Sequence, residues 1–189
     1  MAAYISFQPS DYFNTKLYTG NNSTHAITGV GFQPDFVWLK PRNLVDNHRL
    51  LDSVRGNDKF IISNSESGQD DPGSNFASFD SDGFTLGGSD GGWNSSSYNY
   101  VSWNWKGGTT SGIATNGSTT ITPTAYSFNQ TAGISIIQYT GNETAGAKVA
   151  HGLGTTPDLM IFKRLDGNTI WQVYHQSLGN TKYLMLNET

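Results

Sequence analysis

The chain has 189 residues, of which 22 are Gly and only 14% are charged, while 10 Phe, 9 Tyr and 5 Trp supply large apolar surfaces. That usage suits turn-rich β structure around an aromatic core, and no window sustains apolar residues at helical spacing for three turns. The 11 Lys and Arg are scattered among 15 Asp and Glu, giving a formal net charge of −4 with no basic field for nucleic-acid phosphates; there is no Cys for disulfides or thiolate metal sites, and no apolar run of membrane-spanning length.

The N-terminus, MAAYISFQPSDYF, lacks the basic start and continuous apolar stretch of a signal peptide, so action outside a cell implies release by lysis or assembly. Its aromatic residues Tyr4, Phe7, Tyr12 and Phe13 make it a candidate docking segment. FVWLK at 36–40 alternates large aromatics with aliphatics behind Pro34-Asp35 and predicts a strand. HRLLD at 48–52 follows a polar loop, and KFIIS at 59–63 follows the Gly56-Asn57-Asp58 turn. In ASFDSDGFTL, Ser81-Asp82-Gly83 stands between two β-favouring segments and predicts a hairpin. YNYVSWNWK at 98–106 alternates strictly, with Val101, Trp103 and Trp105 on one face and Tyr100, Ser102 and Asn104 on the other, one of the two being core. Residues 109–132 are rich in Gly, Ser and Thr and read as a linker with one or two edge strands, after which Ile134, Ile136 and Ile137 mark a further strand.

Much of this is said twice. YTGN at Tyr18 returns at Tyr139, GFQPDFVWLK at Gly31 returns as GTTPDLMIFK at Gly154, and GNDKFIISN at Gly56 returns as GNTKYLMLN at Gly179. The last two pairs share one offset, since 154 − 31 and 179 − 56 are both 123, so a single register spans two strands and the variable loop between them. Repetition favours packing and display over catalysis, which needs only one well-built site. The predicted organisation is a first β-sandwich repeat over 1–108 with its docking segment, a linker over 109–132 and a partial second repeat over 133–189. The first copy runs on from Ser65 to Gly108 through its hairpin and Trp-rich strand, and the second has no counterpart of that stretch. The expectation is that a longer chain or another subunit supplies the missing strands, because unpaired sheet edges are prone to aggregate.

Residues that carry chemistry are sparse. His25, His48, His151 and His175 occur without metal-ligand spacing, and Asp80-Ser81-Asp82-Gly83 lacks the further oxygen ligands of a calcium loop. Asp70, Asp71 and Asp90 sit in Gly/Ser/Asn-rich loops with no flanking strand to hold the geometry of a glycosidase pair. No nucleophile elbow, phosphate loop or dinucleotide fingerprint is present. The sequence therefore assigns no catalytic, cofactor or metal residue and predicts that the protein is not an enzyme. Trp38, Trp103 and Trp105 lie within strand patterns, leaving Trp93, in a Gly-rich loop near Tyr98, with two readings, a ring exposed for stacking on a sugar or a cap on the end of the sandwich core.

Taken together, YTGN, ITGVGFQPDFVWLK, DSVRG, FDSDGFTLGG and YVSWNWKGG, followed by AHGLGTTPDLMIFKR and WQVYHQSLGNTKYLMLN, resemble the repeated domain of tailed-phage virion appendage and tail-fibre proteins. The resemblance implies an all-β fold of tandem antiparallel β-sandwich modules of the concanavalin-like lectin or jelly-roll type, the second incomplete. It also implies a virion structural protein without enzymatic activity or cofactor, assembled in the host cytoplasm and carried on the extracellular particle. Its expected partners are other virion proteins, further copies of itself with a trimer favoured, and a host surface glycan, but neither nucleic acid nor a membrane interior. A capsid decoration protein and a carbohydrate-binding module acting through Trp93 stand as alternatives, with a glycan hydrolase the weakest reading.

Overall fold

The computed structural model describes residues 8–188, in which thirteen strands and three single 3-10 turns are joined by tight loops and no α-helix occurs. Tyr4 and Phe7 of the proposed docking segment lie outside the described residues. The first half contains β1 (Phe13–Thr19), β2 (His25–Ile27), β3 (Phe36–Pro41), β4 (Arg49–Asp52), β5 (Ile61–Ile62), β6 (Phe76–Asp80), β7 (Gly83–Leu86) and β8 (Asn99–Trp105). Five of these form a sheet in the order β1-β8-β3-β4-β5, and three form a sheet in the order β2-β7-β6, all with antiparallel pairing. One core joins the two sheets: Val37, Leu39, Leu51 and Tyr100 from the larger pack with Ile27, Phe76, Phe84 and Leu86 from the smaller. The fold is all-β and antiparallel, with two sheets face to face in the manner of a β-sandwich.

The hairpin expected at Ser81-Asp82 is present, with Asp80 opposite Gly83 across a two-residue connection. Its stability comes from polar capping. The Asp80 carboxylate accepts from the hydroxyls of Ser78 at 2.7 Å and Thr85 at 2.6 Å, and that of Asp82 accepts the backbone N–H groups of Gly31 at 2.6 Å and Gly29 at 2.9 Å. Pro34-Asp35 likewise sets the start of β3. The buried Asp35 carboxylate accepts from Ser53 Oγ at 2.6 Å and Gly107 N at 2.9 Å, holding the ends of β3, β4 and β8 together.

Strand β8 resolves the face left open by its alternation. Tyr100, Ser102 and Asn104 point into the sandwich and are fully buried, while Trp103 and Trp105 lie half-buried on the opposite face. Most of the inward polar groups have partners: Tyr100 donates its hydroxyl to Gly91 O at 2.7 Å and accepts from Ser95 N, and Asn104 Nδ2 donates to Ser102 Oγ and to Asn14 O, each at 3.0 Å, while the buried Asn104 Oδ1 has none. With those bonds formed inside, the indoles are left to cover the outer surface of the larger sheet.

The second half holds β9 (Ala125–Asn129), β10 (Ile134–Gln138), β11 (Leu159–Phe162), β12 (Gln172–His175) and β13 (Leu184–Met185). β9 lies within the stretch expected to be a linker and pairs with β10, and the order of the other three strands is β11-β12-β13. Phe36 faces Asp52 and Leu159 faces His175; Leu50 faces Ile61 and Val173 faces Leu184. Every β11-β12-β13 pairing thus repeats a β3-β4-β5 pairing at the same offset of 123. The turn contact repeats too, with Ser53 N donating to Asp35 O and Gln176 N to Asp158 O, both at 2.9 Å. β11-β12-β13 is a three-stranded sheet on which Leu159, Ile161, Phe162, Leu184 and Met185 are exposed.

The two copies are in contact. Trp171 is buried against Leu50 and Ile61 on the outer surface of the larger sheet, beside Phe36 and Trp38, and its Nε1–H is shared by Ile62 O at 2.9 Å and Ser65 O at 3.1 Å. Around it Gln69 N donates to Leu165 O at 2.8 Å and Thr169 N to Glu66 O at 2.9 Å. A buried indole with its donor satisfied carries much of such a junction. Replacing it, Trp171→Ala, is expected to cost about 3–5 kcal/mol and to make residues 109–188 more sensitive to limited proteolysis, whereas unchanged unfolding and cleavage patterns would show that the junction is passive.

The DSVRG turn contains the one ion pair buried on both sides among the described residues. Arg55 Nε donates to Asp52 Oδ2 at 2.6 Å while Asp52 Oδ1 accepts Arg55 N at 2.9 Å. Asp52→Ala would strand a buried guanidinium, so chemical denaturation is expected to report a loss of about 3–5 kcal/mol, and a loss below 1 kcal/mol would contradict this account.

Candidate functional site

The loop singled out for sugar stacking is part of the core. Trp93 is 3% exposed, its ring meets Phe60 edge-on with centroids 5.3 Å apart, and the Arg49 guanidinium lies 5.1 Å from the indole centroid. Its carbonyl accepts from the Tyr18 hydroxyl at 2.8 Å, and Tyr18 stacks on Tyr100 with centroids 4.9 Å apart. Burial, with the neighbouring Tyr100, pushes the Tyr18 phenol well above its usual range, which keeps it a neutral donor. Next to Trp93, the fully buried Asn94 side chain bonds Asn21, Ser23, Gly88 and His25, stitching the loop to the end of β1 and to β2. Tyr98 is half-buried and packs against the same core. Of the two readings of Trp93, the structure has the core cap: the ring closes the end of the sandwich and Tyr98 packs against the same core, so neither is an exposed stacker. In the docking segment, Tyr12 O accepts Lys106 N at 2.8 Å and Phe13 opens β1 with its ring 4.9 Å from Trp105, so both are built into the first sandwich.

Exposed aromatic surface occurs elsewhere. Register places Phe13, Trp105 and Phe36 in one row and Thr15, Trp103 and Trp38 in the next, across β1, β8 and β3 on the outer face. These rings are half-buried, with Trp38 and Trp103 edge to face at 6.3 Å and Phe36 and Trp105 at 5.4 Å. Trp171 and Leu165 cover one flank of this surface, and Leu17 beside it is 64% exposed. Strand alternation contained the signal for this face, since β8 has bulky residues on both sides, but it left open which side is core.

The candidate acids serve turns. Asp70, Asp71 and Asp90 are exposed, and each carboxylate accepts a nearby backbone N–H, from Asp71, Gly73 and Gly92 respectively. The carboxylate of Asp82 is held below its usual pKa by the N–H groups of Gly31 and then Gly29, as a turn cap requires. Among the described residues no group of three His, Asp or Glu side chains is placed to hold a metal ion, and no helix is long and apolar enough to cross a membrane.

The second sheet is the other unusual surface. Leu159, Ile161 and Phe162 on β11, Leu184 and Met185 on β13, and Tyr183 just before β13 are all exposed. An open pocket of about 220 Å³ lies against it, lined by Phe162, Val173, Tyr174 and Tyr183 among others. Sequence reading foresaw that this copy lacks strands but not which side chains would be bared.

Residues 8–189 match the family model described as Domain of unknown function (DUF7483), and the chain belongs to that family. No curated protein and no solved structure matches the chain.

One side chain on the aromatic face titrates in an accessible range. His48 Nδ1 accepts the Trp38 Nε1–H at 2.9 Å, and burial followed by the charge of Lys40 lowers the His48 pKa from its ordinary value. A depressed pKa means that the neutral ring is favoured in the folded state. Its contribution to stability is complete above about pH 6.5, where the unfolded histidine is also neutral, and is lost as pH falls through the lower folded value. Titration by NMR is expected to place His48 below the ordinary histidine value, and His48→Ala to remove that part of the acid sensitivity; a His48 titrating at or above 6.5 would refute the assignment.

Proposed function

We propose that this chain is a structural display protein of a phage particle, a tail-fibre or appendage component whose repeated β units hold and present surface. The observation that carries this reading is the duplicated strand pairing at offset 123, with the second copy seated on the first through Trp171. Head-to-tail seating of one copy on the face of another is how an extended array is assembled from a single module. The phage setting rests on the resemblance of the repeated strings to appendage proteins.

A second reading, glycan contact, gains from the outer face of β1, β8 and β3, where half-buried indoles and phenyl rings form two rows. Rings in such an array suit the apolar faces of sugars. It moves the contact from Trp93 to Trp103, Trp105 and Trp38.

Imaging of purified particles with a label in the loop at Val45, the most exposed large apolar residue among the described residues, distinguishes these roles. Label on the tail is expected; label over the capsid would instead make this a decoration protein, and absence from particles would overturn the virion reading. For glycan contact, Trp103→Ala is expected to weaken binding on a glycan array by roughly 1–3 kcal/mol while Asp90→Asn leaves it unchanged, and an array with no bound glycan removes that reading.

A further inference from the structure

In the first copy, residues of the repeated strings find their partners within 76–105. Tyr18 bonds Trp93 O and stacks on Tyr100. Gly20 donates its N–H to Tyr98 O at 3.1 Å, and a Cβ at Gly20 would run into Ser95 O. Leu39, Leu51 and Phe60 share a core with Phe76, Phe84 and Leu86, and β3 pairs along its whole length with β8. The second copy keeps the residues without the partners. Tyr139, in the place of Tyr18, is 40% exposed, and a Cβ on Gly141, in the place of Gly20, would meet nothing. Phe162 and Tyr183, in the places of Leu39 and Phe60, are 41% and 53% exposed and line the open pocket with Tyr174, the counterpart of Leu51. β11 is an edge strand on the side where β3 has β8, and no described strand joins β10 to β11 as β8 joins β1 to β3.

We propose that this open side of the second copy is a docking surface for a polypeptide segment patterned on residues 76–105: a short β-hairpin with inward phenyl rings, then a strand alternating inward Tyr or small polar residues with outward indoles. The occupant is identified by continuity with an interface the molecule already contains, because the β3-β8 ladder and the core beneath it would recur at offset 123. Main-chain pairing along the free edge of β11 gives the segment its register, and the pocket beside Phe162 and Tyr183 receives its rings. The one stretch of this pattern in the chain, Asn99–Trp105, is paired on both edges by β1 and β3. The same holds in a second folded copy, so the occupant is a partner chain that carries a segment of this pattern unpaired.

The test uses the full 189-residue chain with a synthetic peptide copying residues 92–107. Amide exchange over Leu159–Phe162 is expected to slow by at least about tenfold on adding the peptide, to be unaffected by a scrambled peptide, and to lose its response in Phe162→Asp, a change at an exposed position. Since one strand is only part of the occupant, a second arm appends a copy of residues 65–108 after Asn187, continuing the offset, and protection of β11 is expected to approach that of β3. Absence of protection in both arms overturns the proposal. Equal protection by the scrambled peptide, or protection of β11 in the chain alone that rises with its concentration, also overturns it, the latter in favour of self-association.

Discussion

Strand β8 is the constraint on which the first half of the molecule depends. It pairs with β1 on one edge and β3 on the other, so two segments far apart in the chain become one sheet only through it. Its inward face brings Tyr100 into the core and sets Ser102 and Asn104 in a bonded polar row, while its outward face sets the indoles that Trp38, Phe13 and Phe36 join. Central strands that satisfy both neighbours remove two edges at once, which is worth more to a small sheet than the side chains alone suggest.

The second half shows what the same strings do without that strand. Its β11-β12-β13 sheet keeps the local pairing of β3-β4-β5 residue for residue, because that pairing is set by the Pro-Asp start and by hairpin-like connections between neighbours. Burial is not kept. Tyr183, at the position of Phe60, which is buried in the core shared with Phe76, Phe84 and Tyr100, is 53% exposed. Local pairing and the covering of a face are separate achievements, and here the chain displays one without the other. The first copy compensates in part by receiving Trp171, which takes the place along the repeat that His48 holds.

The loop preceding β8 ties these observations together. Asn94 bonds the YTGN turn, Trp93 fills the end of the core, and the Tyr100 hydroxyl bridges Gly91 and Ser95. A Gly-rich segment is thus tied into the core by side chains that close on it, which its composition alone does not show.

By itself the sequence determined the β class, the duplication and its register, the hairpin at Ser81-Asp82 and the strands at FVWLK, HRLLD and YNYVSWNWK, because alternation, Pro-Asp and Asp-Gly act over a few residues. Only the tertiary structure decided that Tyr100, Ser102 and Asn104 face the core, that Trp93 is buried and that Trp171 seats the second copy on the first. Alternation defines two faces and is silent on which is covered. Covering is a contact between segments tens of residues apart, set by whichever arrangement buries the most apolar surface while leaving most of the inward polar groups bonded.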